Sequence, residues 1–302
     1  MLSVYAARYG YRCGNFGDEA SAWILRSLGR AVESVEAPEH ANLFAVGSVL
    51  DRLPAQRSVK TWADGDSILH HVENRIAVWG SALIDENHRC TPSADVRVFA
   101  VRGPLTRARM LPRGAFEGVV MGDPCILARE ALAATDLKFA PRKLYRVGFL
   151  PHYVDMDSEE LCVMARRHRG EVTTIDPCTP PADVARRITE CEYVASSGLH
   201  GLIFAASLGV PAAWVKFGDN LAGGSFKFRD WYGALGWPDA VPVVLDGSRG
   251  VPLSEIVSTA SLPEECRAAR MRAEMLMAFD DAVAWLSSVD KAKASGDAGG
   301  DK

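Results

Sequence analysis

The chain has 302 residues, 48% of them hydrophobic, enough to bury a sizeable core and to fill two domains of roughly 130 to 150 residues. A net charge of −4 and a pI near 6.0 leave no basic footprint for nucleic acid, and no apolar run reaches the ~20 residues of a membrane span. The 7 cysteines are scattered without a C-x-x-C pair, and the N-terminus lacks the basic-then-apolar pattern of a secretory signal, so free thiols, no zinc site and a cytoplasmic location are expected.

Leu2 to Ala7 reads as a short apolar strand, followed by Gly14-Asn15-Phe16-Gly17-Asp18 and, from Glu19 to Gly29, apolar positions at helical spacing. Strand, glycine loop and helix in that order offer backbone N–H groups to an anionic or polyhydroxyl ligand, with Asn15, Gly17 and Asp18 placed to meet it. The loop is neither G-x-G-x-x-G nor a P-loop, and its plainer reading is a tight turn with Asp18 as helix N-cap. Val32 to Val35 and Asn42 to Val46 are the next strands, and Asp51 to Gln56 a turn of helix. Arg57 to Asn74 shows no clear period. His70 and His71 are adjacent there and cannot share one face, which suits a solvated loop better than a metal site.

Arg75 to Trp79 and Val96 to Val101 are strands, the second ending in Arg102-Gly103-Pro104 with a helix from about Leu105 to Met110. Pro104 suits a first helical turn, so Arg102 stands in a strand-end loop where its guanidinium could grip a phosphate or carboxylate; the alternative is a surface salt bridge. Arg107 would assist it or occupy the outer helix face. Val119 to Met121 then enters Gly122-Asp123-Pro124, with Asp123 either capping the next short helix or facing the space between the two halves.

After a linker, Ala133 to Lys143, the same alternation restarts: strand Leu144 to Leu150, helix Ser158 to Arg169, strand Val172 to Ile175, helix Ala182 to Glu190 and strand Tyr193 to Ala195. His152 follows the first of these strands. The chain is organised around what comes next: Ser196-Ser197-Gly198, a helix from Leu199 to Leu208, a Gly-Val-Pro stop, a strand from Ala212 to Lys216, and a glycine-rich segment leading to Lys227, Arg229 and Asp230. His200 lies in the first turn of that helix beside Ser196 and Ser197, where an imidazole can hydrogen-bond an anion and move a proton near neutral pH; a core histidine is the competing reading. Trp231, Tyr232 and Trp237 suit a core or interface better than a sugar platform. Leu262 to Val289 is helical, with Leu276, Phe279, Val283 and Leu286 on one stripe, and the polar tail 290–302 is expected to be disordered.

The run SSGLHGLIFAASLGVPAAWVKF with GGSFKFRDW resembles the polysaccharide pyruvyl transferase family, in which Ser-x-Arg-x-His-Gly precedes a small-residue helix and Gly-[Val/Ile]-Pro. The Gly-Asn-x-Gly-Asp loop, Arg102-Gly103-Pro104, Gly122-Asp123-Pro124 and Pro151-His152-Tyr153 extend the resemblance. One departure is Gly198, where many members carry arginine. The resemblance implies an α/β protein of two Rossmann-like domains facing across a cleft (GT-B-like): an N-terminal domain over 1–135 on the acceptor side, a donor domain over 136–260, and a C-terminal helix over 261–289 packing back. It implies transfer of the enolpyruvyl group of phosphoenolpyruvate to a sugar diol, giving a pyruvate ketal and phosphate without metal or cofactor. The acceptor would be a polysaccharide or lipid-linked oligosaccharide, with the protein peripheral to a membrane-bound assembly machinery. Under that reading His200, then His152, moves the proton. Arg102, Lys216, Lys227 and Arg229 hold the donor with Ser196 and Ser197, while Asn15, Gly17 and Asp18 orient the acceptor. A GT-B-like glycosyltransferase using a nucleotide sugar, with Asp230 as its ribose-binding acid, is one alternative. A non-catalytic sugar- or anion-binding partner in polysaccharide assembly is the other.

Overall fold

A computed structural model describes residues 1–7, 14–53, 59–63, 66–70, 75–112, 114–137, 142–218, 221–245 and 250–296. Strands β1 (Leu2–Tyr5), β2 (Val32–Val35) and β3 (Leu43–Phe44) are followed by the pair β4 (Val59–Ala63) and β5 (Asp66–His70), then β6 (Ile76–Trp79), β7 (Val96–Val101) and β8 (Val120–Met121). Apart from β4 and β5 these form one six-stranded sheet in the order β2-β1-β3-β6-β7-β8, with every pairing parallel. Strands β9 (Tyr145–Leu150), β10 (Val172–Thr174), β11 (Cys191–Ser196), β12 (Ala212–Lys216) and β13 (Val243–Val244) form a second parallel sheet, ordered β10-β9-β11-β12-β13. The helices are α1 (Phe16–Ser27), α2 (Pro104–Arg107), α3 (Ala128–Ala133), α4 (Glu159–Arg167), α5 (Pro181–Thr189), α6 (Leu199–Leu208), α7 (Phe226–Ala234), α8 (Leu253–Thr259) and α9 (Glu265–Gly296).

Both sheets are mixed into an α/β chain, and in both the first strand is flanked by the second on one side and the third on the other. That reversal makes a topological switch point between β1 and β3, and another between β9 and β11, where the chain leaves adjacent strand ends in opposite directions and opens a crevice. Strands such as β6 are buried along their whole length, as parallel strands covered on both faces must be.

Helix α6 explains how the halves meet. Nine of its ten residues, all but His200, are buried, so it has almost no face for water, and it packs among α3, α5 and the 3-10 turn Pro124–Leu127. Val4 and Trp79 from the first sheet thereby share one hydrophobic cluster with Leu150 and Val194 from the second. Gly209, at φ +73°, ends α6 in the left-handed conformation that glycine adopts without strain.

Helix α9 returns to the first sheet and packs on β6, β7 and β8; Trp79 donates its indole N–H to the Met275 carbonyl at 2.8 Å and its ring lies 4.7 Å from that of Phe279. Its fully buried line is Ala268, Met271, Met275, Ala278, Phe279 and Ala282, whereas Leu276, Val283 and Leu286 of the expected stripe are only partly buried. Small residues at the centre of the contact let the helix approach the sheet, and the larger ones cover its margins.

Several expectations are corrected. The stretch containing His70 is not a loop, because β4 and β5 pair antiparallel from Val59↔His70 to Ala63↔Asp66; His71 lies outside the described residues. Helix α7 has no counterpart in the sequence reading: Phe226, Lys227, Phe228, Asp230, Trp231 and Tyr232 are all buried, so its charged residues break the pattern that marks an amphipathic helix. Helix α8 and strand β13 were likewise unmarked. Helix α9 continues to Gly296, past the residue 290 at which a disordered tail was expected to begin. Cys178 is disulfide-bonded, against the expectation of free thiols throughout; Cys90, Cys125, Cys162, Cys191 and Cys266 are free, and Cys13 lies outside the described residues. No helix among the described residues is long and apolar enough to cross a membrane.

Candidate functional site

A cavity of about 330 Å³ opens where the two switch points face each other. Tyr5 and Ala6 at the end of β1, Val46 and Gly47 after β3, Leu150 to His152 at the end of β9, and Ser196 at the end of β11 line it. The N-termini of α1 and α6 point into the same space, contributing Asn15, Phe16 and Asp18 from one side and Gly198, Leu199 and His200 from the other. Both helix starts bring partial positive charge, which attracts an anion, but the first N–H groups of α1 are taken by Pro177 and Asn15, so uncapped N–H groups come from α6. The first turn of α6 has no side-chain cap, whereas in α1 the Asn15 side chain accepts from the Gly17 N–H at 3.2 Å. Asn15 is therefore the N-cap, correcting the expectation of Asp18, which sits inside the first turn.

The cations are held differently. Arg102 is fully buried, donating through Nη1 to Ser48 Oγ at 2.8 Å and through Nη2 to the Leu83 carbonyl at 3.3 Å, with Nε 3.4 Å from Asp230 Oδ2. It lines the cavity while anchored on its far side. The guanidinium forms a salt bridge, as the competing reading supposed, but a buried one. Lys227, from the first turn of α7, is also buried against the cavity; burial first, then the neighbouring Arg102 charge, pulls its amine down to about 8. Arg229, on the opposite face of α7, is exposed and does not line the cavity, and Lys216 ends β12 outside it. These two expected donor ligands are not brought to the site.

Both histidines are. His152 caps the 3-10 turn Tyr153–Asp155, its Nδ1 accepting from the Val154 N–H at 3.4 Å. Burial and Lys227 lower its pKa to about 3. His200 is lowered to about 3 by burial first, then by Arg102 and Lys227. A glycine is required beside it: a Cβ on Gly17 would collide with His200 Nδ1, so α1 and α6 can approach this closely only with hydrogen at that position. Asp18 moves the other way. Burial raises its carboxyl to about 6, partly offset by its hydrogen bond with Asn15.

The serines split. Ser196 Oγ donates to the Leu150 carbonyl at 2.6 Å and accepts from the Gly198 N–H at 3.1 Å, tying β9 to the entry of α6 at the cavity wall. Ser197 points away: its hydroxyl donates to Asp155 Oδ2 at 2.6 Å and accepts from the His152 N–H at 2.9 Å, so it positions the His152 loop. Sequence reasoning missed Ser48 and Asp155, whose importance exists only through their partners. It also misread Asp230, which is fully buried and accepts from the Leu105 and Thr106 N–H groups and the Thr106 hydroxyl, at 2.8, 3.0 and 2.6 Å. Trp231 and Tyr232 are core residues, as expected. Among the described residues, Asp123, Cys125 and His200 each place one ligand-type atom within 4.8 Å of the others.

The chain matches the polysaccharide pyruvyl transferase family over residues 5–217, and it belongs to that family. It is 26% identical over 236 residues to the succinoglycan biosynthesis protein ExoV of Rhizobium meliloti (strain 1021), covering 76% of this chain and 65% of ExoV. It is also 36% identical over 121 residues to the uncharacterised protein L143 of Acanthamoeba polyphaga mimivirus, covering 39% of this chain and 40% of L143. In each case the match spans less than two thirds of the relative's own length.

Proposed function

We propose that this protein transfers the enolpyruvyl carbons of phosphoenolpyruvate to two hydroxyls of a sugar in a polysaccharide or its lipid-linked precursor. Both C–O bonds form at C2 of the donor, the C2–O bond to phosphate breaks, the methylene carbon becomes a methyl group, and a cyclic pyruvate ketal and phosphate are released. The observation that carries this reading is the convergence of the uncapped start of α6, Arg102, Lys227 and two neutral imidazoles on one cavity in a chain of this family. The two sheets then act as the facing halves of a GT-B-like arrangement, with the donor and acceptor meeting between them.

In this mechanism the N–H groups at the start of α6, with Lys227 and Arg102, hold the carboxylate and phosphate of the donor. Burial, reinforced by the Arg102 and Lys227 charges, keeps His200 unprotonated. A multiply charged anion neutralises those cations, so donor binding raises the proton affinity of His200 and readies it to pass a proton to the methylene carbon as positive charge develops at C2. Asp18, titrating near 6 beside Asn15, is placed to orient the sugar hydroxyls and accept their protons.

The commitment of Asp230 to Arg102 and the start of α2 argues against the nucleotide-sugar alternative, since the acid invoked to hold a ribose is saturated and outside the cavity. Thermal-shift titration tests the choice, because a ligand of the native state raises the melting temperature by mass action. Phosphoenolpyruvate is expected to stabilise the wild type and not Lys227→Met, while UDP- and GDP-sugars have no effect. Stabilisation by a nucleotide sugar alone would replace the proposal.

A further inference from the structure

Behind His200, on the side away from α1, two buried polar atoms lack partners. His200 Nε2 has no hydrogen-bond partner, and neither does Asp123 Oδ2. The other oxygen of this carboxylate is used: Asp123 Oδ1 accepts from the Cys125 N–H at 2.9 Å as the cap of the turn Pro124–Leu127. The other nitrogen of the imidazole is placed too, since Nδ1 lies against Gly17. A ring nitrogen of His200 and a carboxylate oxygen of Asp123 lie within 4.8 Å, with no protein group between them assigned as a partner to either. Two buried polar atoms without partners each carry a desolvation cost that a hydrogen bond between them would remove.

We propose that Asp123 is the positioning residue of His200: its free carboxylate oxygen accepts a hydrogen bond from Nε2–H, fixes the Nε2–H tautomer and leaves the Nδ1 lone pair at the α1 side of the cavity. The catalytic part of this inference rests on the proposed pyruvyl transfer; the tautomer part does not. Burial raises the Asp123 carboxyl above the ordinary carboxylate range, and the Cys125 N–H and the Arg102 charge partly offset that rise in favour of the ionised form. The same atoms, with Cys125 Sγ, could be read as a cation site. Arg102 acts on both Asp123 and His200, however, and burial holds the Cys125 thiol well above its ordinary range, so the trio suits a hydrogen bond better than a metal ion.

The test is histidine-¹⁵N-labelled full-length protein studied by long-range ¹H–¹⁵N correlation, with the His200 signals identified by their loss in His200→Gln. The wild type is expected to show Nε2–H. Asp123→Asn keeps an oxygen to cap Cys125 but turns an amide donor towards Nε2, and is expected to switch the ring to Nδ1–H. Its kcat should fall by about 10²- to 10⁴-fold, as when a histidine loses its orienting carboxylate, with KM for phosphoenolpyruvate within about twofold. An Nδ1–H tautomer in the wild type would overturn the proposal, as would one unchanged in Asp123→Asn or a switch that leaves kcat untouched. So would a stoichiometric metal ion lost in Cys125→Ser. If Asp123→Asn does not fold, the wild-type tautomer alone decides. A tautomer switch in a protein without turnover on phosphoenolpyruvate would retain the Asp123–His200 pair and discard the pyruvyl-transfer reading.

Discussion

Residue 198 is where this chain departs most visibly from the motif it otherwise resembles, with glycine where many family members carry arginine. The backbone there has φ −96°, open to any residue, and an added Cβ would meet only ordinary contacts, the nearest being His152 Cα at 3.7 Å. Glycine is thus not demanded by conformation or space, and Lys227, reaching the cavity from α7, supplies a cation nearby. A Gly198→Arg variant should therefore fold and add one charge-assisted hydrogen bond to the bound donor. That bond is worth about 1.5 to 3 kcal/mol, so phosphoenolpyruvate should bind on the order of tenfold to a hundredfold tighter by calorimetry. Unchanged affinity would place the donor away from the start of α6. At this scale the sequence was informative at the strand-end loops that carry Arg102 and His152 and at the first turn of α6 that carries His200, but not at Lys216, which ends β12 outside the cavity. It was silent on Ser48 and Asp155, which matter only because Arg102 and Ser197 reach them across 54 and 42 positions of the chain.

Helices α2 and α7 form a junction that no local pattern announces. Gly103 lies so close to the Asp230 backbone that a Cβ there would collide with it, and the Asp230 carboxylate satisfies two N–H groups at the start of α2 as well as the Arg102 guanidinium. Breaking a buried pair leaves an uncompensated charge, which costs about 3 to 5 kcal/mol. Asp230→Ala should lose stability on that scale in urea unfolding, and should also lose donor binding, because Arg102 would no longer be anchored at the cavity wall. Arg229→Ala, one residue earlier but exposed, should change neither. Element existence was largely legible: α6 and β12 have the bounds their apolar runs and the Gly-Val-Pro stop imply. Helix α7 was not, since a helix buried on nearly all sides with Lys227 and Asp230 facing inward carries no amphipathic period to read.

Across the whole molecule, the paired sheets bury titratable groups around one cavity and so couple stability to pH. An unfolded histidine titrates near 6.5, whereas His200 in the folded protein is held near 3. Above 6.5 the ring is neutral in both states. As pH falls from 6.5 towards 3, the unfolded chain takes up a proton that the native state refuses, and stability is lost. Asp18, Asp123 and Asp155, all raised by burial, act in the opposite sense over the same acidic range, so the decisive quantity is a difference. Relative to His200→Gln, wild-type melting temperature should decline on going from pH 7 to pH 5; a constant offset would mean that the ring is not held neutral. What the sequence by itself determined is the alternation of strands and helices, the parallel sheets it requires, and the strand-end positions of most polar residues in the site, because these follow from periodicity and local turn chemistry. What only the tertiary structure decided is which of those residues meet. The predominantly apolar α6 must be covered, and covering it joins both sheets in one core and brings their switch points to one cavity. That packing brings Gly17 against His200, sends Arg229 to solvent, commits Asp230 to Arg102, and sets Asp123 near the imidazole.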